Sequence, residues 1–142
     1  MRRVFLGFSA VLVLMVVAQF FLAASSAFDT APHEESFRFH RSVGLLLVLF
    51  AVLTTIVAAI ARVPGRIIAK TGLVAGLGVT QMVIAMLAGA FDGAAGTLVF
   101  GLHGINGLFI LKTAGGVAQQ ARVLARPAPA DRSQVGSEQP AS

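Results

Sequence analysis

With 142 residues and 14.7 kDa, the chain has room for one domain. It is 56% hydrophobic and only 12% charged, with a mean hydropathy of +0.85, against roughly 25% charged residues in soluble domains. A soluble enzyme, a disordered chain and a collagen-like fibre are excluded, and the protein is expected to be integral to a membrane. The excess of 11 Lys and Arg over 6 Asp and Glu is scattered between apolar stretches rather than gathered on one face, so nucleic acid is not the expected partner. Without Cys there is no disulfide, thiolate metal site or thiol nucleophile.

A membrane-spanning helix needs about 20 mostly apolar residues, and four stretches qualify. The first, 4–28, carries no charge. Its Arg2-Arg3 start and Ser25-Ser26-Ala27 end imitate a signal peptide, but the apolar run exceeds the usual 7–15 residues, so it is expected to stay as a helix. The second span is 43–61, with Pro32, Glu34 and Glu35 suited to an earlier first helical turn outside the membrane. The third is 71–91. The fourth is 97–118, with Lys112 free to snorkel toward the interface. Arg62-Val63-Pro64-Gly65-Arg66 and Asp92-Gly93-Ala94-Ala95-Gly96 read as tight turns. Short turns predict an all-α, up-down-up-down four-helix bundle over residues 1–121, followed by a disordered tail over 122–142. With the N-terminus cytoplasmic, nine cations (Arg2, Arg3, Arg62, Arg66, Lys70, Lys112, Arg122, Arg126, Arg132) lie inside and only Arg38 and Arg41 outside. The positive-inside rule therefore predicts that both termini are cytoplasmic.

Polar residues at membrane depth are the candidate functional residues. Gln19, Gln81 and Asn106 lie nine residues from Phe28, Ala90 and Thr97 at the outer ends of their spans, about 13 Å deep at the helical rise. They predict one polar layer, serving either as helix–helix glue or as a ligand or ion contact. His40 stands at the outer entrance of the second helix, with Gly44 one turn further, and His33 seven residues before it on the same side. His103 lies in the fourth helix between Gly101, Gly104 and Gly107. Imidazoles on diagonal helices of a bundle are the usual axial ligands of haem, and Arg41 is placed to pair with a propionate. By helical rise, however, His103 is expected about 9 Å deeper than His40.

The span pattern, with His40-Arg41 entering the second helix and Leu102-His103-Gly104-Ile105-Asn106-Gly107-Leu108 in the fourth, resembles the small four-span bacterial family labelled domain of unknown function 6220. The resemblance covers roughly residues 1–120 and implies a multi-pass protein of a bacterial plasma membrane, with no activity to transfer. More distantly, the His-Arg pair and the fourth-helix His resemble one four-helix half of haem A synthase, which implies haem-facing roles for His40 and His103. Phe37 stands where that family carries a Glu.

Nothing in the chain supports hydrolysis or group transfer: no phosphate loop, HExxH or nucleophile elbow is present. Three functions remain. The first is a structural or accessory bundle in a bilayer, working with a larger membrane complex or by self-association. The second is a haem-b electron-transfer or haem-handling protein using His40, His103 and Arg41. The third is a small-solute or ion pathway lined by Gln19, Gln81 and Asn106.

Overall fold

A computed structural model describes residues 1–126. Five helices follow one another: α1 (Arg2–Ala27), α2 (His33–Ser36), α3 (Arg38–Ile60), α4 (Gly65–Ala88) and α5 (Gly93–Ala125). Counting α2 and α3 as one, four of them are long and apolar enough to cross a membrane. α1 packs on α3 and α5, and α4 packs on the same two. This leaves α1 facing α4, and α3 facing α5, across the diagonals of an all-helical four-helix bundle.

The packing follows from the spacing of buried residues. α1 buries Phe5, Ser9, Leu12 and Val16; α3 buries Leu47, Ala51, Thr54 and Ala58; α4 buries Ile67, Thr71, Val74 and Gly78. Each set alternates steps of four and three, the repeat that keeps one stripe of a helix on its neighbours. α5 contributes Ile110, Ala114, Val117 and Ala121. Most of these side chains are small, as in membrane bundles generally, where close backbone approach replaces a hydrophobic drive. The buried hydroxyls of Ser9, Thr54 and Thr71 donate to carbonyls one turn back in their own helices, at 2.7–2.8 Å, so none is orphaned in the apolar interior. Large apolar residues such as Leu14, Phe21, Leu49, Met86 and Leu108 point outward, toward lipid.

Two apolar layers result. Leu12, Val16, Leu47, Ala51, Val74, Ala75, Ile110 and Ala114 form the central one. Phe5, Ala58, Val63, Ile67, Val117 and Ala121 close the end that carries the N-terminus, termed the inner end. The second layer explains why helix replaces the tail expected from residue 122. Val117, Ala121 and Leu124 continue the same stripe against Phe5 and Ile67, so α5 remains helical to Ala125. The rest of the expected tail, from residue 127, lies outside the described residues.

The ends of the spans also shift. α4 begins at Gly65 rather than Thr71, because Pro64 at its N-cap fixes an extended backbone immediately before the helix. At the other side of this turn, Arg62 adopts φ 51°, and the amides of Arg62 and Val63 donate to the carbonyls of Ala59 and Ala58. These bonds make a Schellman cap, with Val63 buried as its apolar contact. At the outer end, the expected early turn exists as α2, but it breaks at Phe37 before α3. Ser26 and Ser36 tie it down: Ser26 Oγ donates to Ser36 O at 2.6 Å, and Ser36 Oγ donates to Ala31 O at 3.0 Å.

Two substitutions test this packing through unfolding in detergent. A Cβ added at Gly78 would lie 2.7 Å from Val48 Cγ2, whereas one added at Gly76 meets nothing within 4 Å. Gly78→Ala is expected to cost about 1–3 kcal/mol, and Gly76→Ala to raise stability by about 0.5–1 kcal/mol. Arg62→Gly removes a left-handed non-glycine residue and should raise stability by about 1 kcal/mol.

A histidine and carboxamide layer across the bundle

In the outer half the apolar seam gives way to polar side chains from all four long helices. α1 supplies Gln19, α3 His40, α4 Gln81, and α5 both His103 and Asn106. They form two sets of interhelical ties.

The first set links α4 and α5. Asn106, only 8% exposed, donates from Nδ2 to Gln81 Oε1 at 2.5 Å and to the Leu77 carbonyl at 2.9 Å. Gln81 Nε2 in turn donates to the backbone carbonyl of His103 at 2.8 Å. The expected common depth of Gln81 and Asn106 is therefore realised as a direct contact. Gln19 sits apart from that pair. Its side chain lies where a Cβ on Gly44 would meet it at 3.8 Å, and its Nε2 is buried with no hydrogen-bond partner.

The second set links α1, α3 and α5. His40 Nδ1 is 3.2 Å from the Gln19 carbonyl. A carbonyl only accepts, so this bond places the His40 proton on Nδ1 and leaves Nε2 with its lone pair. The His40 and His103 rings meet across the α3–α5 diagonal, with centroids 6.1 Å apart and planes inclined at 52°. The 9 Å depth difference expected from helical rise is not found. That expectation put His40 at the interface, above a span starting at Val43; His40 lies in the first turn of α3, and its ring nevertheless reaches His103.

Aromatic rings extend the pair on both sides. Phe100 stacks on His103 at 5.1 Å, Phe37 meets His40 edge-on at 6.1 Å, and His33 packs on Phe37 at 4.5 Å. The sequence reading singled out the histidines and missed the phenylalanines, although Phe37 lies four residues after His33 and Phe100 three before His103, both helical-face spacings. Arg41 lies outside this cluster. Its guanidinium is exposed and donates to the Glu34 backbone carbonyl, which fastens α2 to α3.

Each histidine has a glycine one turn further along its helix. Gly44 makes room for Gln19, and Gly107 for Phe20, whose ring would lie 3.3 Å from an added Cβ. The imidazole pair is thus flanked by α1 side chains seated on glycines. His103 Nδ1 is buried without a partner. An open groove of about 460 Å³ at the inner end and one of about 390 Å³ at the outer loop are lined by none of Gln19, His40, Gln81, His103 and Asn106. Among the described residues no cluster of three or more His, Cys, Asp or Glu could hold a metal ion.

In comparison with known proteins, the model of a family of unknown function (DUF6220) matches residues 19–90, half of the chain. The match takes in Gln19, His40, Arg41 and Gln81 and stops short of α5. No curated protein and no solved structure matches, and the more distant likeness to haem A synthase finds no counterpart there.

The layer's energetics are open to a double-mutant cycle in detergent. Asn106→Leu and Gln81→Leu should each cost about 1–2 kcal/mol. The pair should fall short of additivity by about 0.6–1.7 kcal/mol, the range of interhelical hydrogen bonds in lipid. Gln19→Leu removes a buried amide that has no partner, and is expected to leave stability unchanged or higher.

Proposed function

The chain belongs to the DUF6220 family of unknown function, and we propose that it is an accessory bundle of the bacterial plasma membrane that docks laterally against another transmembrane helix. That helix comes from a larger membrane complex or from a second copy. The observation that carries the reading is a set of glycines without use inside the bundle. At Gly7, Gly76, Gly101, Gly104, Gly115 and Gly116 an added Cβ meets nothing within 4 Å. Each glycine inside a helix costs about 0.5–1 kcal/mol relative to Ala, and small residues on an outward face let a second backbone approach closely. Gly101 and Gly104 lie one turn apart and exposed on α5. Both termini are assigned to the cytoplasmic side by the Lys and Arg distribution. Gln81 and Asn106 are engaged with each other and with backbone carbonyls, which favours their role as glue over the lining of a solute pathway.

Extraction of the full chain from its native membrane in mild detergent, followed by mass determination, tests this reading. The expected species is larger than the 14.7 kDa chain, and Gly101→Leu/Gly104→Leu should return it to the monomer with its melting temperature retained. A monomeric wild-type protein, or an assembly indifferent to the two leucines, would contradict lateral docking.

One observation favours a second reading, a bis-imidazole centre. Two metal–nitrogen bonds of about 2 Å plus the distances from each nitrogen to its ring centre give about 6 Å between centroids, and the His40–His103 separation is 6.1 Å. The Nδ1 bond of His40 to a carbonyl is the orienting bond that ligating histidines carry. The spacing matches two imidazoles that would hold one metal ion, such as the iron of haem b, but Gln19 and Phe20 fill the space beside them, so a macrocycle would need α1 displaced. Absorption spectra of protein expressed with added haem, oxidised and then reduced, decide the matter. A Soret band lost in His103→Ala supports the centre, and a colourless folded protein removes it.

A further inference from the structure

At the inner end, the start of α4 and the last turns of α5 flank an open groove of about 460 Å³, lined among others by Arg66, Lys70, Gln119 and Gln120. We propose that it is a binding site for the phosphate headgroup of an anionic phospholipid, distinct from the histidine layer and from the lateral glycines.

Position gives the first argument. α5 has 33 residues, about 50 Å at 1.5 Å per residue, whereas the hydrocarbon core is about 30 Å thick. Its last turns, with Gln119 and Gln120, therefore leave the hydrocarbon beside the first turns of α4, which carry Arg66 and Lys70. The groove lies where lipid phosphates lie.

Chemistry gives the second. Arg66 and Lys70 are one turn apart on the same side of α4, and both are exposed. Side chains at this spacing are neighbours about 5–6 Å apart at Cβ, close enough for both cations to reach one phosphate. The guanidinium offers paired donors to phosphate oxygens and the ammonium a point charge. Gln119 and Gln120 add carboxamide donors from the opposite wall, suited to glycerol or headgroup hydroxyls. Ile67, Val123 and Leu124 supply an apolar wall against which an acyl chain can lie.

Charge gives the third. Among the described residues the carboxylates, Asp29, Glu34, Glu35 and Asp92, all belong to the outer end. Arg2, Arg3, Arg62, Arg66, Lys70, Arg122 and Arg126 gather at the inner one. Basic pockets between spanning helices at a membrane surface are how headgroup phosphates are recognised. Here the pocket holds only two of the seven cations, which allows a built site to be separated from diffuse attraction.

The test is lipid titration of the full chain in detergent, read by native mass spectrometry with phosphatidylglycerol, phosphatidylcholine and inorganic phosphate as probes. One phosphatidylglycerol per chain is expected, at least tenfold tighter than phosphatidylcholine. Arg66→Gln/Lys70→Gln should weaken it about tenfold. Arg2→Gln/Arg3→Gln removes the same charge from the same end and should change it less than twofold. Arg66→Lys, which keeps the charge, should retain most of the binding. Helix content by circular dichroism should match the wild type in every variant. Equal losses in the two double variants would reduce the effect to diffuse charge and overturn the site, as would equal binding of the two lipids. Displacement of the lipid by millimolar inorganic phosphate would make it a free-anion site and overturn the lipid assignment.

Discussion

The four-three spacing of small buried residues is the constraint on which the rest of this molecule depends. In lipid, apolar side chains gain little by leaving one apolar medium for another, so helices associate through close packing and hydrogen bonds. Ala51, Ala58, Gly78, Ala114 and Ala121 meet that condition, and the bulkier Leu, Phe and Met residues face outward. Close approach along the seam brings Asn106 Nδ2 within 2.9 Å of a carbonyl on α4 and lets two imidazoles meet across a diagonal. With bulkier residues in the seam, both contacts would open. The polar layer is therefore a consequence of the apolar one.

The bundle is chemically different at its two ends. The outer end is tied by side chains bonded to backbone carbonyls rather than to carboxylates: the two serines, His40 with the Gln19 carbonyl, and Arg41 with the Glu34 carbonyl. The inner end is closed by apolar residues around Phe5 and surrounded by cations. Buried ion pairs are costly in hydrocarbon. Accordingly the charged residues sit near helix ends and turns, with Lys112 the main exception, in the inner half of α5.

Much of this was legible in the residues. Four mostly apolar stretches of about 20 residues, three of them uncharged, leave few alternatives to four spanning helices, because only self-satisfied backbones cross a bilayer. Counting rise from the outer ends also brought Gln81 and Asn106 to one level, and they do bond. The same count failed for His40, whose ring meets that of His103 from the first turn of α3. The break at Phe37 had no signal, since no Gly or Pro marks it; it depends on Ser36 reaching back to Ala31 and on the Ser26 hydroxyl meeting the Ser36 carbonyl. The last turn of α5 is obscured by Arg122, which reads as the start of a polar tail, although Val117, Ala121 and Leu124 keep the four-three spacing and pack with Phe5 and Ile67. Tertiary contact, more than local composition, decides where that helix stops.

Two atoms break the general rule of satisfied polar groups, Gln19 Nε2 and His103 Nδ1. In a bilayer an unpaired buried polar group costs more than at a wet surface, because no water competes to pair it. Asn106 and Gln81 show that this chain places carboxamides with full partners when structure alone is at stake. The two orphans, by contrast, both belong to the residues around the imidazole pair: Gln19 lends its carbonyl to His40, and His103 faces it. His40 keeps a lone pair on Nε2 while its Nδ1 is held by the Gln19 carbonyl, and His103 Nδ1 is without a partner. The layer thus divides into a finished half, between α4 and α5, and an unfinished half, between α1, α3 and α5. A hydrogen-bond partner supplied to either orphan would recover a desolvation cost already present in the folded bundle.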